Sequence, residues 1–135
     1  MRTVIDGLAK EGDGVGRCAD GRAIFVRGAL PGEKVSVVVT EEKPKFLRGN
    51  AVTVLEPSRH RIDPFCSHVQ DGCGGCNLQH ADKELQKHMK LRIVQEAFER
   101  IGKFRDADVV YGGSVEPVRY RTTIRCSIHD GKAGM

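Results

Sequence analysis

The stretch Ala23-Ile-Phe-Val-Arg-Gly-Ala-Leu-Pro-Gly-Glu-Lys-Val-Ser-Val-Val-Val-Thr40 decides the fold of the first part of the chain. It holds two strand-like runs, Ala23 to Arg27 and Glu33 to Thr40, which a Pro-Gly turn pair separates. Similar runs occur at Thr3 to Leu8 and at Leu47 to Leu55. Short strands at such close intervals, with no helical period among them, predict a small closed or nearly closed β-barrel of the OB type.

Three closely spaced glycines, Gly12, Gly14 and Gly16, follow the first of these runs. A glycine cluster invites interpretation as a phosphate-binding loop, but no helical pattern follows it, and Arg22 to Arg27 has the composition of a strand. We therefore predict a turn or a bulge at the glycine cluster.

Two differently built segments meet near Pro57. Residues 1–57 are predicted to form the barrel, and residues 58–135 a small α+β domain with a cysteine-rich loop, so that the chain is mostly β. In the second segment, a helix is predicted between the N-cap Asp82 and a left-handed Gly102. Its apolar stripe, which we expect to pack on the strands that follow, consists of Leu85, Met89, Ile93, Ala97 and Ile101.

The cysteine-rich loop places Cys66, Cys73 and Cys76 within eleven residues. Thiolates repel one another when they are brought together, so this spacing indicates a shared cation. A disulfide is disfavoured because the chain has five cysteines and no secretory leader. A thioredoxin-like redox pair is disfavoured because no strand pattern precedes Cys73.

The spacing leaves two metal centres open. Zinc would find a closed Cys3His set if His80 joined the three thiolates. An iron-sulfur cluster would need a fourth thiolate from elsewhere, and the candidates within the chain are Cys18 and Cys126.

The end of the chain predicts a strand from Val118 to His129, followed by a two-residue hairpin turn at Asp130-Gly131. Lys132 to Met135 is too short to return along the partner strand, so we expect an unpaired edge. The missing fourth thiolate and the unclosed hairpin together predict that these residues are the front part of a longer protein.

Composition sets broad limits on function. The chain is 39% hydrophobic without tryptophan, which predicts modest cores that a metal would help to stabilise. No apolar run approaches the ~20 residues that a membrane span needs, so we expect a soluble, cytoplasmic protein with no membrane partner. The formal net charge of +4 is a weak electrostatic argument for binding RNA.

A family resemblance becomes specific when the motifs are read in order. The chain shows Ala29-Leu-Pro-Gly-Glu33, the cysteine loop, Leu78-Gln-His80, a helix ending Arg100-Ile-Gly102, and Arg119-Tyr-Arg121. In this order it resembles the N-terminal portion of the TRAM-containing RNA uracil-C5 methyltransferases, which modify 23S rRNA or tRNA. The resemblance covers nearly the whole chain.

The resemblance implies a TRAM barrel followed by a central domain with a 4Fe-4S cluster. Cys66, Cys73 and Cys76 would be ligands, and the fourth would lie beyond Met135. It also implies S-adenosylmethionine as a cofactor of the intact protein. No catalytic or cofactor-binding residue is predicted in this chain, because the Rossmann-like methyltransferase domain is missing from it. Cys126 and Cys18 match no ligand, and we expect both to be packed or partly exposed thiols.

Binding of RNA is the function expected of these residues themselves, because OB-like barrels hold single strands with basic and aromatic side chains. Two candidate patches combine such side chains, and His80 is a further candidate with a substrate contact, a hydrogen bond near the cluster and zinc ligation all open. The candidates are Lys43, Lys45, Phe46, Arg48, His80, Arg119, Tyr120, Arg121 and Arg125.

Two functions follow. The first is the RNA-binding, iron-sulfur-bearing part of an S-adenosylmethionine-dependent RNA uracil-C5 methyltransferase, with rRNA favoured over tRNA as substrate. The second is a free-standing, zinc-stabilised RNA-binding module without catalytic activity.

Overall fold

The computed structural model describes residues 1–69, 71–116, 118, 120, 122, 123 and 125–134. The strands are β1 (Arg2–Leu8), β2 (Gly14–Arg17), β3 (Ala23–Arg27), β4 (Lys34–Glu42), β5 (Phe46–Glu56), β6 (Ser127–His129) and β7 (Lys132–Gly134). Helix α1 (Lys83–Ala97) continues into a π-helical turn, Phe98–Gly102, and a 3-10 turn covers Ser67–Val69.

The first five strands form a closed barrel in the order β1, β2, β3, β5, β4. Strands β3 and β5 run parallel, and the other neighbouring pairs are antiparallel. Pairing of β1 with β4, for example Thr3 opposite Val35, closes the barrel and leaves no free sheet edge. The predicted OB-type barrel and the mostly β fold are confirmed.

The barrel core consists of alternating inward side chains. All of its members are at most 6% exposed, and they are Ile5, Ile24, Val26, Ala29, Val35, Val37 and Leu47. Cys18 packs against this core, and burial, followed by the charge of Asp20, raises the pKa of its thiol. The predicted packed state of Cys18 is therefore what the structure has.

Gly12, with φ of 95°, lies in the turn between β1 and β2, as predicted, whereas Gly14 and Gly16 lie in strand β2, where the prediction of a turn or bulge was wrong. Both glycines face the barrel interior. A Cβ on Gly16 would lie 2.5 Å from the carbonyl oxygen of Val4, and one on Gly14 would lie 2.8 Å from that of Ala29. The barrel is too narrow here for any inward side chain, so the usual apolar alternation is absent from the sequence.

Helix α1 begins as predicted, with the Asp82 carboxylate accepting a hydrogen bond from the Leu85 amide at 2.8 Å. The predicted packing partner was wrong. Leu85 and Met89 pack with Leu8 and Leu30 of the barrel in a second core, whereas Ile101 is 84% exposed. The helix follows the cysteine-bearing segment in the chain, and its packing on the barrel therefore attaches that segment to the barrel.

The helix ends one residue later than predicted. Lys103, with φ of 59°, takes the left-handed conformation that was expected of Gly102. The π-helical turn explains the shift, because it inserts an extra residue before the helix terminates.

The end of the chain contains a shorter strand than predicted. Among the described residues from Val118 onward, the strand is limited to Ser127–His129, and it does pair with Lys132–Gly134. Asp130 and Gly131, with φ of 49° and 74°, form the predicted two-residue turn. The expectation that the last residues are too short to pair was wrong.

Within the part of the chain that the structure describes, no helix combines the length and the apolar character that crossing a bilayer requires.

Candidate metal loop and nucleic-acid interface

The cysteine loop, which the structure describes at residues 66–69 and 71–77, contains several tight turns. The Val69 amide donates to the Cys66 carbonyl at 3.2 Å, and the Gly72 amide donates to the Val69 carbonyl at 3.2 Å. Gly72 takes a positive φ of 85°, which glycine adopts without steric cost. These turns bring the chain back on itself between the first and second cysteines.

The three thiols of the loop are free, with Cys66 and Cys73 half-buried and Cys76 exposed. The Gly75 amide donates to Cys73 Sγ at 3.4 Å, a contact typical of thiolate ligands. The donor chemistry and spacing therefore fit an iron-sulfur or zinc centre. Among the described residues, no group of three His, Cys, Asp or Glu side chains is placed to hold a metal ion.

A buried ion pair joins the barrel to the segment that leads into the loop. Glu33, which is fully buried, binds Arg61 through Oε1 at 2.6 Å and Oε2 at 2.7 Å. The Leu30 and Ser58 amides also donate to this carboxylate, at 2.8 and 3.2 Å. Burial alone would raise the pKa of Glu33, but the hydrogen bonds from Arg61 and the two amides outweigh it and lower the pKa.

His80 lies beside this ion pair and is only 6% exposed. Burial, together with the charge of Arg61, lowers the pKa of its imidazole. Its Nε2 atom has no hydrogen-bond partner among the described residues. This burial places the ring within the junction between barrel and helix, away from the exposed surface where the other RNA candidates lie.

An aromatic and basic patch lies on the outside of the barrel. The rings of Phe25 and Phe46 meet edge to face with centroids 5.7 Å apart. The Arg48 guanidinium lies 5.3 Å from the Phe25 centroid and 5.7 Å from that of Phe46. Sequence reasoning found Phe46 and Arg48 but missed Phe25, which becomes a neighbour only because β3 pairs in parallel with β5.

Carboxylates partly neutralise the cations of this patch. Arg48 lies 3.4 Å from Asp13 and 3.6 Å from Glu41, and Lys43 lies 3.0 Å from Glu41. Lys45 is exposed next to Phe46. The surface therefore presents two half-buried aromatic rings beside basic side chains. The positive charge of these side chains is partly neutralised by acidic residues.

The second predicted RNA patch is only partly described. Tyr120 is 56% exposed and Arg125 is exposed, and neither lies in a strand. Arg119 and Arg121 lie outside the described residues. Cys126 is half-buried.

Residues 1–52 match the TRAM domain family. An uncharacterized RNA methyltransferase of Caldanaerobacter subterraneus subsp. tengcongensis is 43% identical over 117 residues, which cover 87% of this chain and 25% of the relative. The 23S rRNA (uracil(1939)-C(5))-methyltransferase of Aromatoleum aromaticum is 36% identical over 135 residues, which cover 98% of this chain and 30% of the relative.

A solved structure, the Pyrococcus abyssi tRNA (uracil-54, C5)-methyltransferase in complex with S-adenosyl-L-homocysteine, is 29% identical with a TM-score of 0.44, covering 77% of this chain and 22% of that one.

The barrel is a TRAM domain. Over almost its whole length, the chain is similar to RNA methyltransferases, one of them named for uracil C5 of 23S rRNA, and the predicted family resemblance is confirmed. The chain spans about a quarter to a third of the length of the curated relatives it matches.

Proposed function

We propose that the chain is the RNA-binding, cluster-bearing part of an S-adenosylmethionine-dependent RNA uracil-C5 methyltransferase. The observation that carries the proposal is homology along almost the whole chain to a methyltransferase named for uracil C5 of 23S rRNA. A second relative with the same name, from Vibrio campbellii, is 39% identical over 109 residues. These names favour rRNA over tRNA as the substrate, and with such a substrate we expect the protein to act in the cytoplasm.

In this proposal, the barrel holds single-stranded RNA. Phe25 and Phe46 would supply aromatic surface for base stacking, while Lys43, Lys45 and Arg48 would lie near the backbone phosphates. Asp13 and Glu41 limit the charge of the patch. Stacking would therefore contribute more to affinity than attraction to phosphates, and we expect moderate dependence on salt.

The cysteine loop holds the metal centre in this proposal. Cys66, Cys73 and Cys76 would ligate a 4Fe-4S cluster, with a fourth ligand outside the chain. The cluster would act as a structural crosslink of the loop. S-adenosylmethionine would supply the methyl group at a site that this chain does not contribute.

Metal analysis of the intact protein tests the centre. Protein purified without oxygen is expected to contain iron and acid-labile sulfide in similar amounts. Zinc in place of iron would contradict the cluster. Zinc together with a lack of methyl transfer would favour a zinc-stabilised RNA-binding module instead.

A methyl-transfer assay tests the activity. The intact protein is incubated with tritiated S-adenosylmethionine and either 23S rRNA or tRNA prepared from cells that lack it. Label in uridine of the rRNA is the expected result. Label confined to tRNA would overturn the substrate preference, and label in neither RNA would overturn the enzymatic assignment.

A further inference from the structure

Cys73 is held in place from three sides. Its amide donates to the His68 carbonyl at 2.9 Å, and its sulfur accepts from the Gly75 amide at 3.4 Å. Its own carbonyl accepts from Arg27 Nη2 at 3.1 Å. Two of these contacts come from the cysteine loop itself, whereas the third comes from the barrel.

Arg27 is the last residue of strand β3 and is exposed. The nitrogen that binds the Cys73 carbonyl also lies 3.5 Å from the Gly72 carbonyl. Both hydrogen bonds that the structure shows for this side chain therefore end on the cysteine loop. Arg27 supplies a donor where the chain enters the Cys-Gly-Gly-Cys segment.

A second contact fixes the far end of the loop. Asn77 Nδ2 donates to the Glu11 carbonyl, in the turn between β1 and β2, at 2.6 Å. The neighbouring Gly12 has a positive φ of 95°, and a Cβ there would lie 2.9 Å from Asn77 Cβ. The turn approaches the loop so closely that only glycine fits.

We propose that the barrel positions the cysteine loop for its metal centre, with Arg27 and the Gly12 turn as the positioning residues. The inference rests on the metal centre of the proposed function. If docking of the loop on the barrel favours metal binding, then metal binding must favour docking to the same extent, because the coupling between them is reciprocal. The TRAM domain would then serve the metal centre as well as RNA.

The test compares release of the centre from intact variants purified without oxygen. Arg27→Gln removes the charge and replaces the guanidinium by a shorter amide, and Arg27→Lys keeps the charge but not the planar fork. Arg17→Gln is the matched control, because Arg17 is an exposed strand-end arginine bonded to a single barrel carbonyl, that of Gly21, at 3.4 Å. Loss of the visible absorbance of the centre is followed after addition of a chelator.

We expect release to be about fivefold faster in Arg27→Gln, as the loss of one hydrogen bond implies. Arg27→Lys should lie between Arg27→Gln and the wild type, and Arg17→Gln should match the wild type. Equal release rates for Arg27→Gln and Arg17→Gln would overturn the proposal. Gly12→Ala is a second variant, and we expect it also to release the metal centre faster than the wild type.

Hydrogen exchange of the metal-free proteins supplies a readout that does not depend on the centre. Amides of residues 66–77 should exchange faster in Arg27→Gln than in wild type, while the barrel strands exchange equally in both. Unchanged loop exchange would show that Arg27 does not hold the loop. A wild-type protein without iron or zinc would instead refute the metal centre, so the two failures are distinguishable.

Discussion

Glu33 and Arg61 form a two-point ion pair, at 2.6 and 2.7 Å, that fastens the barrel to the segment leading into the cysteine loop. The Arg61 guanidinium also donates to the Gly28 carbonyl at 2.8 Å. The backbone of Arg61 pairs with that of Ala81 in an isolated β-bridge. Next to this bridge, the Ile62 amide donates to the His80 carbonyl at 3.0 Å. The Arg61 side chain therefore binds the barrel, while its backbone pairs with the segment just before helix α1.

Glu33→Gln is expected to destabilise the protein by about 3 kcal/mol, because it leaves the Arg61 charge without its partner. Arg61 retains some access to water, with 24% of its side chain exposed, which places the cost at the lower end for a broken buried pair. The free energy of unfolding in urea measures the effect.

Lys34→Gln is the control for this substitution. Lys34 and Glu56 form an exposed pair at 3.1 Å, and loss of such a pair should cost less than about 1 kcal/mol. If Glu33→Gln cost no more than Lys34→Gln, the Glu33 pair would not be a structural anchor.

The same pair predicts a dependence of stability on acid. The pKa of Glu33 in the folded protein lies below the ordinary value of 4.5, so the ionised carboxylate contributes stability in full above pH 4.5. That contribution disappears as the pH falls through the lower folded value. Thermal melts should therefore show the advantage of wild type over Glu33→Gln shrinking below pH 4.5, and a constant advantage down to strongly acid pH would contradict the assignment.

The barrel could be predicted because four of its five strands carry their own signals. Inward residues such as Ile24 and Val26 alternate with outward-facing neighbours, and this two-residue repeat is visible within the sequence of the strand itself. Strand β2 escaped prediction because its inward positions are Gly14 and Gly16, where backbone of neighbouring segments leaves no room for a side chain. A close approach between distant segments leaves no local pattern.

The same limit applies to the candidate site: side chains that stand out within their own segment could be predicted, whereas contacts between separate segments could not. The cysteines and Phe46 stand out by composition within their own segments. The contacts of Arg27 with the loop and of Phe25 with Arg48 span 46 and 23 residues and depend on which strands become neighbours. The helix stripe was visible, but the choice of Leu8 and Leu30 as its partners depends on the tertiary fold.

Gly16→Ala tests the explanation for strand β2. The added methyl group would lie 2.5 Å from the Val4 carbonyl oxygen and 2.9 Å from Thr3 Oγ1, so backbone must move. We expect a loss of about 1–3 kcal/mol in the free energy of unfolding, measured in urea. Gly112→Ala meets no atom within 4 Å and is the matched control. Equal stability of the two variants would show that the barrel has room at Gly16.

Phe46→Ala and Phe25→Ala test the aromatic patch as an RNA surface. Removing a ring that stacks on a base should weaken binding of a uridine-containing single-stranded RNA by about 5- to 150-fold, because each stacked base contributes about 1–3 kcal/mol. Fluorescence anisotropy of labelled RNA with the intact protein measures the dissociation constant. Phe104→Ala, which removes a 66% exposed ring beyond the helix, is the control and should leave affinity unchanged. If all three variants bound RNA as tightly as wild type, the RNA surface would have to lie elsewhere on the protein.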